Sequence, residues 1–113
     1  MSPPSPKDLP KTNRFWLSYD LGLQGDYAPL YTWLDIIQAR ECGDSVATFT
    51  SNKTREQLKK ELIGVVQSNG SSGRLYLIGR NSAGKIVGGF ILGGRKRPSW
   101  SGFAQDTETG EEE

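Results

Sequence analysis

The chain has 113 residues, 14 basic and 13 acidic side chains, a formal net charge of +1, no histidine and one cysteine. Its length fits one small domain, and its charge balance excludes both a basic nucleic-acid coat over the whole molecule and an acidic solvating chain. The missing histidine removes Ser-His-Asp and Cys-His catalysis, histidine-ligated zinc and imidazole proton transfer, and a single cysteine allows neither an internal disulfide nor a cysteine-rich metal site.

No stretch approaches the roughly 20 apolar residues that span a bilayer, so no membrane association is expected. The N-terminus lacks the apolar core of a signal peptide, and with a lone thiol the chain reads as cytoplasmic. Residues 1–13 contain Pro3, Pro4, Pro6 and Pro10 and almost nothing apolar, which predicts a disordered or extended arm. Residues 101–113 carry Asp106, Glu108, Glu111, Glu112 and Glu113 and no base, which predicts a disordered acidic tail. The folded part is then 14–100, a domain of modest core that dimerisation would help.

Within it, Phe15, Leu17, Tyr19 and Leu21 alternate with Trp16, Ser18 and Asp20, a period of two that predicts a strand with one strongly apolar face. Gly22 to Gly25 turns the chain. Asp26 is placed to cap a helix with Pro29 in its first turn, and Tyr27, Leu30, Tyr31, Leu34 and Ile37 follow at helical spacing. Two short strand-like pieces, Ala39–Cys42 and Ser45–Thr50, flank Gly43-Asp44 and predict a tight hairpin. Thr54 and Gln57 form a capping box for a second helix with the stripe Leu58, Leu62, Val65 and Val66, ended by Asn69-Gly70. Arg74–Arg80 and Lys85–Gly93 make a second hairpin around Ser82-Ala83-Gly84. The order β-α-β-β-α-β-β, with both helices on one face of an antiparallel sheet, predicts an α+β ferredoxin-like sandwich.

The net charge conceals a strong local asymmetry. From Arg80 to Trp100 the charged residues are Arg80, Lys85, Arg95, Lys96 and Arg97, a sum of +5, and 101–113 sum to −5. Trp100 and Phe103 flank the basic run, and bases beside aromatics suit phosphate contact with base stacking. A solvated strand end, whose charges keep an edge from aggregating, is the alternative. Asp20 ends an otherwise apolar strand beside a glycine loop. Two such carboxylates facing each other across a dimer axis would hold Mg²⁺ and activate a water for phosphodiester cleavage; alternatively, Asp20 caps the loop. Asp26 reads as a cap, Asp44 as a turn residue and Cys42 as structural. Asp20, Asp26 and Asp44 form a cluster only if their two turns share one end of the sheet. Gly22-x-x-Gly25 lacks the Lys-Ser/Thr of a phosphate loop. Gly88-Gly89 and Gly93-Gly94 mark a bend or a close approach, a dimer partner included. Trp16 points to the face opposite Phe15, where a dimer contact would cover it.

Leu17-Ser18-Tyr19-Asp20-Leu21, the glycine loop, and Asp26-Tyr27-x-x-Leu30-Tyr31-x-x-Leu34 resemble the SinR-like family of small bacterial proteins. That family shares a fold with VapD toxins and with the small subunit of CRISPR adaptation complexes. The likeness extends through Arg55-Glu56-Gln57-Leu58 and Arg74-Leu75-Tyr76-Leu77-Ile78, over roughly 14–80. It implies a ferredoxin-like fold paired as a homodimer. In the VapD and CRISPR relatives it also implies metal-dependent nuclease activity at the position that Asp20 occupies. The proline-rich arm, the acidic tail and the glycine-rich last strand depart from that pattern. The expectation is a non-catalytic dimeric module that binds nucleic acid or a protein partner, with no cofactor; RNA or DNA would be held by Arg80, Lys85, Arg95, Lys96, Arg97 and Trp100. The alternatives are an Mg²⁺-dependent ribonuclease using Asp20 and a purely structural interaction protein.

Overall fold

In a computed structural model, which describes residues 11–67 and 73–104, the alternating segment is a strand, β1 (Asn13–Asp20). Phe15 and Leu17 are wholly buried while Trp16, Ser18 and Asp20 face outward, as a two-residue period requires. There follow α1 (Ala28–Ile36), β2 (Arg40–Gly43), β3 (Val46–Ser51), α2 (Arg55–Gln67), β4 (Arg74–Arg80) and β5 (Ile86–Leu92). The strands form one antiparallel sheet in the order β2-β3-β1-β4-β5, so β1 is central and β2 and β5 are the edges. The chain is an α+β protein of five strands and two helices among the described residues. The predicted arm lies almost wholly outside those residues, as do most of the acidic tail and the Asn69-Gly70 helix end.

Register explains the core. Phe15 pairs with Phe49, and Leu17 pairs with Ala47 on one side and Leu77 on the other. These residues, with Leu75 and Ile91, make one apolar face of the sheet. Leu30, Trp33 and Leu34 of α1 and Leu58, Leu62 and Val66 of α2 cover it. Each fully buried leucine or phenylalanine contributes about 1.5–3 kcal/mol relative to exposure. The opposite face carries no helix and is the open side of the molecule.

Local chemistry sets the element ends. The Thr54 N–H donates to Gln57 Oε1 at 2.8 Å and the Gln57 N–H donates to Thr54 Oγ1 at 3.2 Å, the reciprocal capping box expected. Asp26 differs from expectation, because Tyr27 is the N-cap and Asp26 sits one residue earlier. Its Oδ1 accepts the Ala28 N–H at 3.1 Å, the last free donor before Pro29, which has none. The first hairpin turns at Asp44-Ser45, one residue later than expected, with Ser45 at φ 59. A register shift between Glu41 and Gly43 absorbs the difference. The second hairpin closes through Asn81, whose Oδ1 accepts the Ala83 and Lys85 N–H groups, both at 3.0 Å. Glu56 ties that turn to α2 by accepting from the Ser82 N–H and hydroxyl.

Candidate nucleic-acid interface

The residues that face away from the helices follow from parity: Arg14, Trp16, Ser18 and Asp20 on β1, Val46, Thr48 and Thr50 on β3, Arg74, Tyr76, Ile78 and Arg80 on β4. On β5 they are Ile86, Gly88 and Phe90, which pair with Arg80, Ile78 and Tyr76. Tyr76 and Phe90 meet edge to face, with ring centroids 5.0 Å apart. This face carries aromatic and basic groups side by side.

At the Arg74 end, the chain leaves β5 at Gly93, in the left-handed region at φ 71, and Arg95–Trp100 come back beside the open face. Arg74, Phe90, Arg95, Lys96, Arg97 and Trp100 line a cavity of ≈470 Å³. Two successive turns fix Trp100: the Ser101 N–H donates to the Pro98 carbonyl and the Phe103 N–H to the Trp100 carbonyl, both at 3.1 Å. A second cavity of ≈230 Å³, lined by Ser18, Asp20, Arg74, Tyr76 and Phe90, shares Arg74 and Phe90 with the first. By contrast, a third of ≈350 Å³ on the helical side, lined by Pro29, Thr32, Trp33, Ile36 and Val65, has no charged residue. The two cavities at the Arg74 end thus carry charged side chains and this one does not.

Asp20 is already engaged. Its Oδ1 accepts the Gly22 N–H at 3.0 Å, and Arg74 Nη2 lies 3.5 Å from its Oδ2. The Gly22 N–H first, then Arg74 and the charge of Lys96, hold its carboxyl below the usual carboxylate range against the opposing effect of burial. A carboxylate so held is a weak proton acceptor near neutral pH. The Tyr19 N–H donates to the Ser45 carbonyl at 2.9 Å, so the first hairpin turn does reach the Asp20 end of β1. Even so, among the described residues no group of three or more Cys, Asp and Glu side chains could hold a metal ion. Asp20, Asp26 and Asp44 thus do not assemble into a ligand set. Cys42 is exposed, with its Sγ 3.8 Å from the Val46 carbonyl oxygen.

The basic residues singled out from the sequence fall into two places. Arg95, Lys96, Arg97 and Trp100 share the cavity. Arg80 and Lys85 sit at the tip of the β4–β5 hairpin, where Arg80 Nη1 donates to the Gly84 carbonyl at 2.7 Å. Six residues of strand, about 20 Å, separate Arg80 from Arg74. Arg74, Tyr76 and Phe90 were not foreseen as site residues. Their signal was the outward parity of β4, but the pairing of Phe90 with Tyr76 and the return of Arg95 to Arg74 are tertiary facts.

Gly88 and Gly89 admit side chains, one from each face of the sheet. A Cβ on Gly88 would lie 2.9 Å from Tyr76 Oη on the open face. One on Gly89 would lie 3.0 Å from Arg55 Nη2, whose guanidinium bonds the Leu77 and Gly89 carbonyls at 3.0 Å each. No helix among the described residues is long and apolar enough to cross a membrane. No protein-family model, curated protein or solved structure matches the chain.

Proposed function

We propose that the protein is a non-catalytic ferredoxin-like module that binds nucleic acid at the Arg74 end of its open sheet face. With β5 set aside, the strand order β2-β3-β1-β4 and two helices on one face correspond to a ferredoxin-like sandwich, and β5 extends it by one strand. The observation that carries the binding reading is the cavity itself. Four cationic side chains, Arg74, Arg95, Lys96 and Arg97, share it with the rings of Phe90 and Trp100. Polyanion contact needs such cations, and nucleobases offer flat faces to such rings. A protein partner recognised through charge alone would not call for the rings.

The homodimer implied by the SinR-like resemblance is compatible with this reading. β5 is an outer strand, with Ile86 and Val87 exposed near its start, and pairing along its free edge leaves the open face clear. The Asp20 ribonuclease reading has less support, because its carboxylate is committed to Gly22 and Arg74.

Binding of fluorescently labelled RNA and DNA oligonucleotides at about 50 mM salt tests the reading, since phosphate contacts are strongest there. The native chain should bind, and a variant with Arg95, Lys96 and Arg97 all changed to alanine should lose most of that affinity. Absence of binding by the native chain, or unchanged binding by the variant, would overturn it.

A further inference from the structure

We propose that the open face beyond the basic cavity is a stacking platform that selects single-stranded over double-stranded nucleic acid. The inference rests on the nucleic-acid reading above and specifies the form of the ligand.

Three aromatic rings stand on this face outside the basic run. Trp16 is 37% exposed although it lies on the central strand, because no helix covers that side. Tyr76 and Phe90 hold each other edge to face on the neighbouring strands. The Tyr76 ring lies over Gly88, where a Cβ would come within 2.9 Å of its hydroxyl and 3.2 Å of Ile78 Cγ1, so glycine at this position lets the ring lie close against the sheet. Trp100, 74% exposed, continues the row at the basic cavity. With one base on Trp16, one on the Tyr76–Phe90 pair and one on Trp100, the footprint is about three nucleotides.

The charges fit the same ligand. Arg14 and Arg80 lie at face positions toward the far end, and Arg74 with the basic run lies at the near end. Arg14 spends one bond on Thr48 Oγ1 at 3.3 Å and Arg80 one on Gly84, so each guanidinium keeps further donors for phosphate. Asp20 is the one acid at the described face positions of β1, β3, β4 and β5, and Arg74 offsets it. An apolar partner would find these cations a desolvation cost, whereas a strand with flat bases and a charged backbone satisfies both sets of groups.

A duplex does not fit this arrangement. Its bases are stacked on one another, so their faces cannot meet the rings. Its major groove admits a helix or a two-stranded ribbon and not the face of a five-stranded sheet. Duplex contact is left with phosphates alone.

The experiment compares one sequence as single-stranded RNA, single-stranded DNA and duplex, by fluorescence anisotropy at constant salt. The native chain should prefer the single strands to the duplex by at least about tenfold, and the RNA and DNA arms identify the favoured sugar. Trp16→Ala and Tyr76→Ala should each weaken single-strand binding about 5- to 100-fold and leave duplex binding unchanged, with Trp16→Phe retaining most of the affinity. Equal affinity for strand and duplex would overturn the proposal, and that comparison needs no variant to fold. If Trp16→Ala instead converts a dimer to a monomer with unchanged affinity, the face is covered by a second copy and the proposal fails. In either case loss of binding in the Arg95, Lys96 and Arg97 triple-alanine variant would keep the nucleic-acid reading alive. Absence of all binding by the native chain would end both.

Discussion

Gly79→Ala tests how tightly the helix-covered face fixes the sheet that presents the site. Gly79 is buried on β4, and a Cβ there would lie 2.0 and 2.3 Å from Cδ1 and Cε1 of Phe15. The Phe15 ring has nowhere to retreat. It is wholly buried and stacked on Phe49 at 5.7 Å between centroids, and Trp33 closes the far side of Phe49 at 5.5 Å. Overpacking of this kind costs about 1–3 kcal/mol. The lower chain entropy of unfolded alanine returns about 0.4–1 kcal/mol. The net destabilisation is then about 1–2 kcal/mol, a fall in Tm of about 5–15 °C for a domain of this size. Urea unfolding followed by tryptophan fluorescence measures it. Phe15→Leu removes the ring atoms that clash, so the double variant should be more stable than the sum of the two single changes by about 1 kcal/mol. A Gly79→Ala variant within about 0.5 kcal/mol of the native chain, or strict additivity, would refute the reasoning.

Salt dependence gives a second expectation. Each cation on a single-strand phosphate contributes about −0.7 to the log–log slope of affinity against salt, so alanine at 95, 96 and 97 should make the slope shallower by about 2. Equal slopes in the two proteins would contradict the contact set. Glu61 gives a pH expectation. Bonds from Lys53 and from Trp33 Nε1 hold its carboxyl below the ordinary value of 4.5. A depressed folded value means stability that is present above the unfolded value and lost as pH falls through the folded one. Tm should therefore drop more steeply on acidification in the native chain than in Glu61→Gln, and identical acid limbs would contradict it. Thr54→Ala removes the acceptor of the Gln57 N–H and should cost about 1 kcal/mol in urea unfolding, with an unchanged midpoint as the contrary result.

Elements whose identity is set by near neighbours were legible in the sequence. The alternation of Phe15 to Asp20, the Thr54–Gln57 box and the stripe of Leu58, Leu62 and Val66 depend on residues a few positions apart. Boundaries moved where backbone chemistry outweighed composition, as when Tyr27 displaced Asp26 as cap or when Ser45 entered the left-handed region. The site was half legible. Arg95, Lys96, Arg97 and Trp100 were visible as a run, because charge and aromaticity are local properties. Arg74 and Phe90 were not, because they join that run only through the β4–β5 register and the turn at Gly93. The same register separates Arg80 and Lys85, close to the run in sequence, to the other end of the strand. Asp20 looked reactive from its position alone. The Gly22 N–H on its Oδ1 is the loop cap that the sequence offered as the alternative, and only its second partner, Arg74, became visible in three dimensions.

The three indole N–H groups give the most direct test of the central claim, that nucleic acid occupies the open face. Trp16 stands on that face, Trp100 lines the basic cavity, and Trp33 belongs to α1 on the opposite side of the sheet, with its Nε1–H bonded to Glu61 of α2 at 2.9 Å. In a titration of ¹⁵N-labelled protein with a short single-stranded oligonucleotide, the Trp16 and Trp100 indole resonances should shift saturably while that of Trp33 stays in place. Movement of Trp33 alone, or of none of the three, would contradict the account.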